Sequence, residues 1–213
     1  MNNSHQKQLD RWDVSRETTK RIDHFIGLLY DWQSKINLIS APQNISMVDF
    51  EAMVWQRHVL DSLQLISYMD KKTDVIDIGS GGGFPGLILS MVMDSHIFLV
   101  ESDKRKCEFL KEAARQIDSH AVIINRRMEE LVADEFSNHI TITSRACASV
   151  LNLIELTKSF HSTARFLLLK GEKAKAELGE AAGRWQMQVT CYPSITNDHA
   201  HIISITGIEP CIS

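Results

Sequence analysis

The stretch VIDIGSGGGFPGLIL, residues 75–89, decides how the chain is read. An apolar run ends near Asp77, passes through Gly79, Gly81, Gly82, Gly83 and Gly86 with Pro85 among them, and re-enters an apolar run. Glycine carries no Cβ, so a strand that runs into glycines and then into a helix lets the main chain approach a ligand closely. The helix that follows is expected to present free N–H donors, and Pro85 suits its first turn, where a missing N–H costs little. A turn of this kind suits a nucleotide-like ligand.

Two registers fit it. Gly81, Gly83 and Gly86 satisfy G-x-G-x-x-G, the dinucleotide fingerprint of an NAD-dependent oxidoreductase. Asp77, Gly79, Gly81 and Gly83 satisfy D-x-G-x-G-x-G, which resembles the first motif of Rossmann-like methyltransferases that use S-adenosylmethionine. That resemblance implies that Asp77 serves the ammonium end of the cofactor, directly or through water. No Lys-Ser/Thr pair follows the glycines, which argues against NTP hydrolysis. Glu101 closes the next apolar run, FLVE, 22 residues after Gly79. In either register it is placed to accept hydrogen bonds from ribose hydroxyls.

On both sides of this turn the pattern is consistent. Downstream, the runs 74–78, 96–101, 121–125, 139–144 and 165–171 read as strands, and 85–93, 104–117 and 149–160 read as helices, with a short turn near 127–133. Continuous apolar strands separated by helices predict βαβ units and a buried parallel sheet. QMQVTCYPSI (186–195) and HIISITGI (201–208) have no helix between them and read as an antiparallel pair. Upstream, residues 8–70 read as helical: Ile22, Phe25, Ile26, Leu29, Trp32 and Ile36 recur at spacings of three and four until APQN (41–44). The expected organisation is a helical extension over 1–72 packed on an α/β core over 73–213. That core resembles the Rossmann-like methyltransferase fold, which implies a mostly parallel seven-stranded sheet ending in an antiparallel hairpin. A terminal antiparallel strand suits a methyltransferase better than a dinucleotide dehydrogenase.

The formal net charge is −4, with 9 basic and 12 acidic side chains in residues 1–100 and 14 and 15 in residues 101–213. Contact with nucleic acid must therefore use local basic clusters or a substrate built partly of protein. Candidates are Lys104, Arg105, Lys106, Lys111 and Arg115, then Arg126 and Arg127, then Lys170, Lys173 and Lys175. Cys107, Cys147, Cys191 and Cys211 lie far apart without a CxxC pair, and no second ligand stands at metal spacing from His58, so no metal is expected. Reduced cysteines, no apolar leader and no run of about 20 apolar residues predict a cytoplasmic protein without a membrane span, expected as a monomer.

RHVLDSL (57–63), DIGSGGGFPG (77–86), SDKRKCEFL (102–110), RRMEEL (126–131), TSRACAS (143–149) and LLLKG (167–171) occur in that order. Together they resemble the bacterial small-subunit ribosomal RNA guanine-N7 methyltransferases, the glucose-inhibited division protein B family. The resemblance implies S-adenosylmethionine as cofactor and 16S ribosomal RNA as substrate, within the small subunit or an assembly intermediate. It places Gly79, Gly81 and Phe84 in the first loop of the cofactor pocket, Met128 and Glu129 after the third strand and Arg145 after the fourth. Arg145 is expected to position the reaction, through a phosphate or guanine O6. Lys170 is expected to cap its strand.

Two departures from the family pattern stand out. Glu101 replaces the usual aspartate, one methylene longer, and Cys147 replaces an aromatic residue. Cys147 is expected as a small buried residue and not a nucleophile. Arg57 and Asp61 are spaced i,i+4, as are His58 and Ser62. They form either a surface salt bridge beside a packed histidine or the edge of a pocket. Two other functions remain open from sequence: the same fold acting on a small molecule or protein, and a cofactor-binding protein that docks on the ribosome without catalysis.

Overall fold

The computed structural model of the chain describes residues 9–70, 72–137, 139–145 and 147–211. Residue 8, where the expected helical stretch begins, and Ala146 within TSRACAS lie outside the described residues. Seven strands form one sheet: β1 (Asp74–Ile78), β2 (Ile97–Val100), β3 (Val122–Ile124), β4 (Ile140–Arg145), β5 (Ala164–Lys170), β6 (Trp185–Pro193) and β7 (His201–Pro210). Their order is β3-β2-β1-β4-β5-β7-β6. β1 to β5 pair in parallel, while β7 runs antiparallel to both β5 and β6.

Successive side chains on a strand point to opposite faces. On β5, Phe166 and Leu168 enter one apolar cluster while Leu167 and Leu169 enter the other. The first face is covered by α6 (Val150–Leu156) and α7 (Ala174–Ala182), which contribute Leu153, Ile154 and Ala181. The second is covered by α1 (Arg16–Gln33), α2 (Met47–Val54), α4 (Gly86–Ser90) and α5 (Lys104–Gln116). Phe25, Leu29 and Phe50 from the N-terminal helices share that cluster with Val75, Leu87, Leu99 and Phe109. Ser15, Ser46, Asp103 and Ser149 cap α1, α2, α5 and α6, each side-chain oxygen accepting an amide of the first turn.

Three local expectations need correction. The helix carrying Ile22 to Leu29 ends at Gln33, before Ile36 and APQN. The Gln33 amide takes over there: Nε2 donates to the Ile39 carbonyl at 2.7 Å, and Oε1 accepts Leu38 N–H at 3.0 Å and Ile39 N–H at 3.1 Å. The chain is thereby folded back over the end of the sheet. Pro85 stands one residue before α4, after a cis bond from Phe84, and not within its first turn. The sequence reading also placed no helix over Ala174–Ala182, whose apolar face is made of small alanines and leaves little hydrophobic signal.

RHVLDSL sits where α2 passes through a π turn, Trp55–Val59, into α3 (Leu60–Leu63). Leu60 N–H bonds the Trp55 carbonyl five residues back. The wider turn shifts every later side chain off the 3.6-residue phase. The i,i+4 partnership expected for Arg57 and Asp61 is therefore not made; Asp61 turns to Arg145.

Candidate active site

A cavity of about 650 Å³ opens at the C-terminal ends of β1, β2 and β4, where Ile78, Val100 and Arg145 reach its wall. This is the edge at which open α/β sheets hold ligands. Gly79, Gly81, Phe84, Glu101, Met128, Glu129 and Arg145 all line it. Seven of the eight residues singled out from sequence are thus brought together. Leu38, Ile39 and Ser40 also line the wall and were missed, because the Gln33 side chain that folds the chain back there leaves no hydrophobic period to read.

Asp77 is the exception. Its carboxyl lies fully buried behind the wall, Oδ2 accepts Gly86 N–H at 3.0 Å, and Oδ1 has no partner among the described residues. The first amide of α4 is therefore engaged internally, which corrects the expectation that this helix start offers free donors. Burial pushes the Asp77 carboxyl up to about 7, helped by the charge of Glu101 and opposed by the Gly86 hydrogen bond. Asp77 thus acts on the site by fixing the geometry of the glycine turn.

Glu101 ties the turn to the second strand. Its Oε2 accepts Gly81 N–H at 3.0 Å and its Oε1 accepts Asp103 N–H at 2.8 Å. A carboxylate oxygen has two lone pairs, so Glu101 can still accept a hydroxyl from the cavity. Phe84 is 4% exposed; its ring centroid lies 5.3 Å from Phe25 and 4.9 Å from His58. It is both a core residue and a wall of the cavity. Met128 and Glu129 enter from a 3-10 turn, Met128 buried and Glu129 exposed.

RHVLDSL is now accounted for by Arg145. The guanidinium donates from Nε to Asp61 Oδ2 at 3.3 Å, from Nη2 to the Arg57 carbonyl at 2.9 Å, and from Nη1 to His58 Nδ1 at 2.5 Å. Burial, then Arg145 and Arg57, pull the His58 pKa down to about 3, so the ring is neutral and Nδ1 accepts. Asp61 Oδ1 accepts from Gln64 at 2.9 Å and from the Thr196 hydroxyl. Arg57 and His58 line the cavity as well. The motif is therefore both a pocket edge and the clamp that sets Arg145. Arg145→Ala is expected to lower activity at least 100-fold, since it strips one wall and frees Asp61. It should destabilise the chain by on the order of 2–4 kcal/mol, as removal of one partner from a largely buried pair does. Arg145→Lys should recover part of the stability and little of the activity, because an ammonium cannot reach three acceptors in a planar fork. Turnover and thermal melting of both variants check this.

Cys147 is exposed at the cavity rim, not buried as expected. Its sulfur is nonetheless tucked against the glycine turn: a Cβ on Gly79 would meet Sγ at 2.3 Å. Burial of the thiol, then Glu101 and Asp77, push its pKa up, which disfavours a nucleophilic thiolate. Lys170, 7% exposed, donates to the Ala148 carbonyl and pairs with Glu177 at 2.9 Å. Among the expected basic clusters, Arg126 pairs with Glu135, Lys111 with Glu108 and Arg115 with Glu112, while Lys106 and Arg127 reach the cavity. Among the described residues no helix is long and apolar enough to cross a membrane.

A second cavity of about 420 Å³ adjoins the first. The two share Arg57, Arg145, Cys147 and Ala148 as a common wall.

Residues 18–203 match the family described as rRNA small subunit methyltransferase G. The chain belongs to that family. A ribosomal RNA small subunit methyltransferase G from Gluconobacter oxydans (strain 621H) is 40% identical over 197 residues, which cover 92% of this chain and 97% of that protein. One from Rickettsia bellii (strain OSU 85-389) is 37% identical over 203 residues, 94% and 99% of the two chains. In fold, the chain resembles magnesium protoporphyrin IX methyltransferase from Synechocystis PCC 6803 with bound SAM, with TM-score 0.54, 12% identity, and coverage of 92% of this chain and 99% of that one. It also resembles a chain of a fibrillarin/Nop5p complex, with TM-score 0.53, 14% identity, and coverage of 71% and 81%. Family membership and the antiparallel β7 decide between the two registers of the glycine turn in favour of D-x-G-x-G-x-G.

Proposed function

We propose that the chain transfers the methyl group of S-adenosylmethionine to N7 of a guanine in 16S ribosomal RNA. The observation that carries this reading is the pair of adjoining cavities at the strand ends of a member of this family. Direct transfer between two substrates requires their reacting atoms to meet at about 3–3.5 Å. Two cavities that share Arg57, Arg145, Cys147 and Ala148 as lining would seat the two substrates side by side.

The residues of the larger cavity fit the cofactor. Gly79 lets the turn lie against Cys147 at the cavity, where a Cβ would clash, Glu101 offers a carboxylate to a ribose, and Phe84 and Met128 give apolar wall. When bound, S-adenosylmethionine supplies an electrophilic methyl group. Gly79, Gly81, Phe84, Glu101, Met128, Glu129 and Arg145 hold and orient it, with Asp77 fixing the turn from behind.

Guanine N7 carries a lone pair and no proton, so no residue has to act as a base. His58 is neutral and its Nδ1 is already committed to Arg145. Catalysis then rests on alignment and on a preorganised wall. Arg145, held by Asp61, His58 and the Arg57 carbonyl, presents its charge at the wall between the cavities, where guanine O6 is its natural partner. The N-terminal extension, residues 1–72, belongs to the same working unit through Arg57 and His58. The enzyme acts as a cytoplasmic monomer on the small ribosomal subunit or an assembly intermediate.

Labelled S-adenosylmethionine, offered with intact small subunits and with stripped RNA, tests this. The expected product is labelled 7-methylguanosine, identified by mass spectrometry, with intact subunits the better substrate. Cofactor binding with no labelled nucleoside in either sample would remove the reading.

A further inference from the structure

We infer that the second cavity receives the acceptor guanine and that Glu177 is the residue that selects guanine over adenine. The inference rests on the methyl-transfer reading above. It begins with the shape of a purine. N7 belongs to the five-membered ring, whereas N1 and the exocyclic group on C2 belong to the far edge of the six-membered ring. If N7 faces the first cavity past Arg145, Cys147 and Ala148, the N1–C2 edge faces the residues that line the second cavity alone. O6, which neighbours N7, stays close to Arg145.

The part of the second cavity that the first does not share includes Lys170, Glu177, Asn197 and His201, with Lys170 and Glu177 next to Ala148. Two carboxylates line the cavity, Asp61 and Glu177. Asp61 is the more heavily engaged: Oδ1 accepts from Gln64 and Thr196, and Oδ2 accepts from Arg145. Glu177 differs. Val150 N–H at 3.0 Å and the Lys170 ammonium at 2.9 Å both engage Oε2, so among the described residues Oε1 is without a partner. The two contacts anchor the side chain and leave one acceptor oxygen for a ligand.

Guanine offers two donors on that edge, N1–H and the C2 amino group. Adenine offers an acceptor at N1 and only a C–H at C2. A carboxylate that only accepts therefore rewards guanine and repels adenine, although both bases carry an unprotonated N7. Sites built to hydrogen-bond a donor reject the analogue lacking it by about 10⁴–10⁵, because the buried acceptor is left unpaired. The target base must leave its stack to enter such a cavity.

The test uses small subunits carrying guanosine, inosine or adenosine at the position methylated by the wild-type enzyme, with products read by mass spectrometry. For the wild type, inosine, which lacks only the C2 amino group, is expected to react about 10-fold slower or worse, and adenosine at least about 1,000-fold slower. In Glu177→Gln the guanosine-to-adenosine ratio is expected to fall at least 10-fold, since a glutamine amide can donate to adenine N1. Melting of Glu177→Gln shows whether the variant is folded. If it is not, the inosine comparison in the wild type stands alone: equal rates on inosine and guanosine overturn the inference. A folded variant with an unchanged base ratio overturns it too, while 7-methylguanosine formation by the wild type still upholds the methyl-transfer reading. Absence of 7-methylguanosine from the wild type removes both.

Discussion

Gly79→Ala is expected to weaken binding of S-adenosylmethionine by at least about 100-fold. Two costs combine at this position. Gly79 has φ +70°, a region that costs an L-residue about 1–2 kcal/mol. A Cβ there would also lie 2.3 Å from Cys147 Sγ and 2.7 Å from Cys147 Cβ, closer than real atoms approach. Overpacking of this kind costs about 1–3 kcal/mol. The clash is expected to displace the turn from the end of β4. Binding requires the loop to return, so the cost appears in affinity, at about 1.4 kcal/mol per tenfold. Calorimetric titration measures it. Cys147→Gly in the same chain removes the contact but not the unfavourable φ, so it should restore only part of the loss. Gly179→Ala in α7 is the comparison, since an added Cβ there meets nothing within 4 Å and alanine favours a helix. Binding by Gly79→Ala within threefold of wild type would show that the turn does not form the cofactor cradle.

The second large effect is on stability and reverses the usual behaviour of an aspartate. The Asp77 carboxyl is raised from 3.8 to about 7 by burial. Below pH 4 it is protonated in both folded and unfolded chains and contributes nothing to the difference. Between about 4 and 7 the unfolded chain releases the proton and the folded chain keeps it, so stability falls as pH rises. Above 7 both forms are ionised and the loss is complete, on the order of 4 kcal/mol at 1.36 kcal/mol per pKa unit. Asp77→Asn retains an oxygen for Gly86 N–H and does not titrate. The wild type is therefore expected to lose on the order of 4 kcal/mol relative to Asp77→Asn between pH 4 and pH 7. Denaturant unfolding of the two chains at each pH gives the difference directly, with all shared titrations cancelling. A constant difference across that window would mean that Asp77 ionises normally despite its burial.

Much of the site was legible because its residues sit where strand ends meet turns. Gly79, Gly81, Glu101 and Arg145 each follow an apolar run, and a parallel sheet places all such ends along one edge. Where local pattern misled, a local geometric change or a long-range contact was responsible. Arg57 and Asp61 have helical spacing, yet the π turn at Trp55–Val59 sends Asp61 to Arg145. Cys147 resembles a core residue in composition, but the end of β4 leaves it at the rim.

By itself the sequence determined the order of the strands, the glycine turn and the family motifs, because hydrophobic period and turn chemistry act over a few residues. Only the tertiary structure decided which partners meet. Gln33 folds Leu38 and Ile39 over the sheet, His58 and Asp61 clamp an arginine more than 80 residues away, and Lys170 and Val150 fix Glu177. The Arg145 clamp and the Val150–Glu177 bond join distant segments, and their geometry exists only once the sheet and its two helical layers have packed.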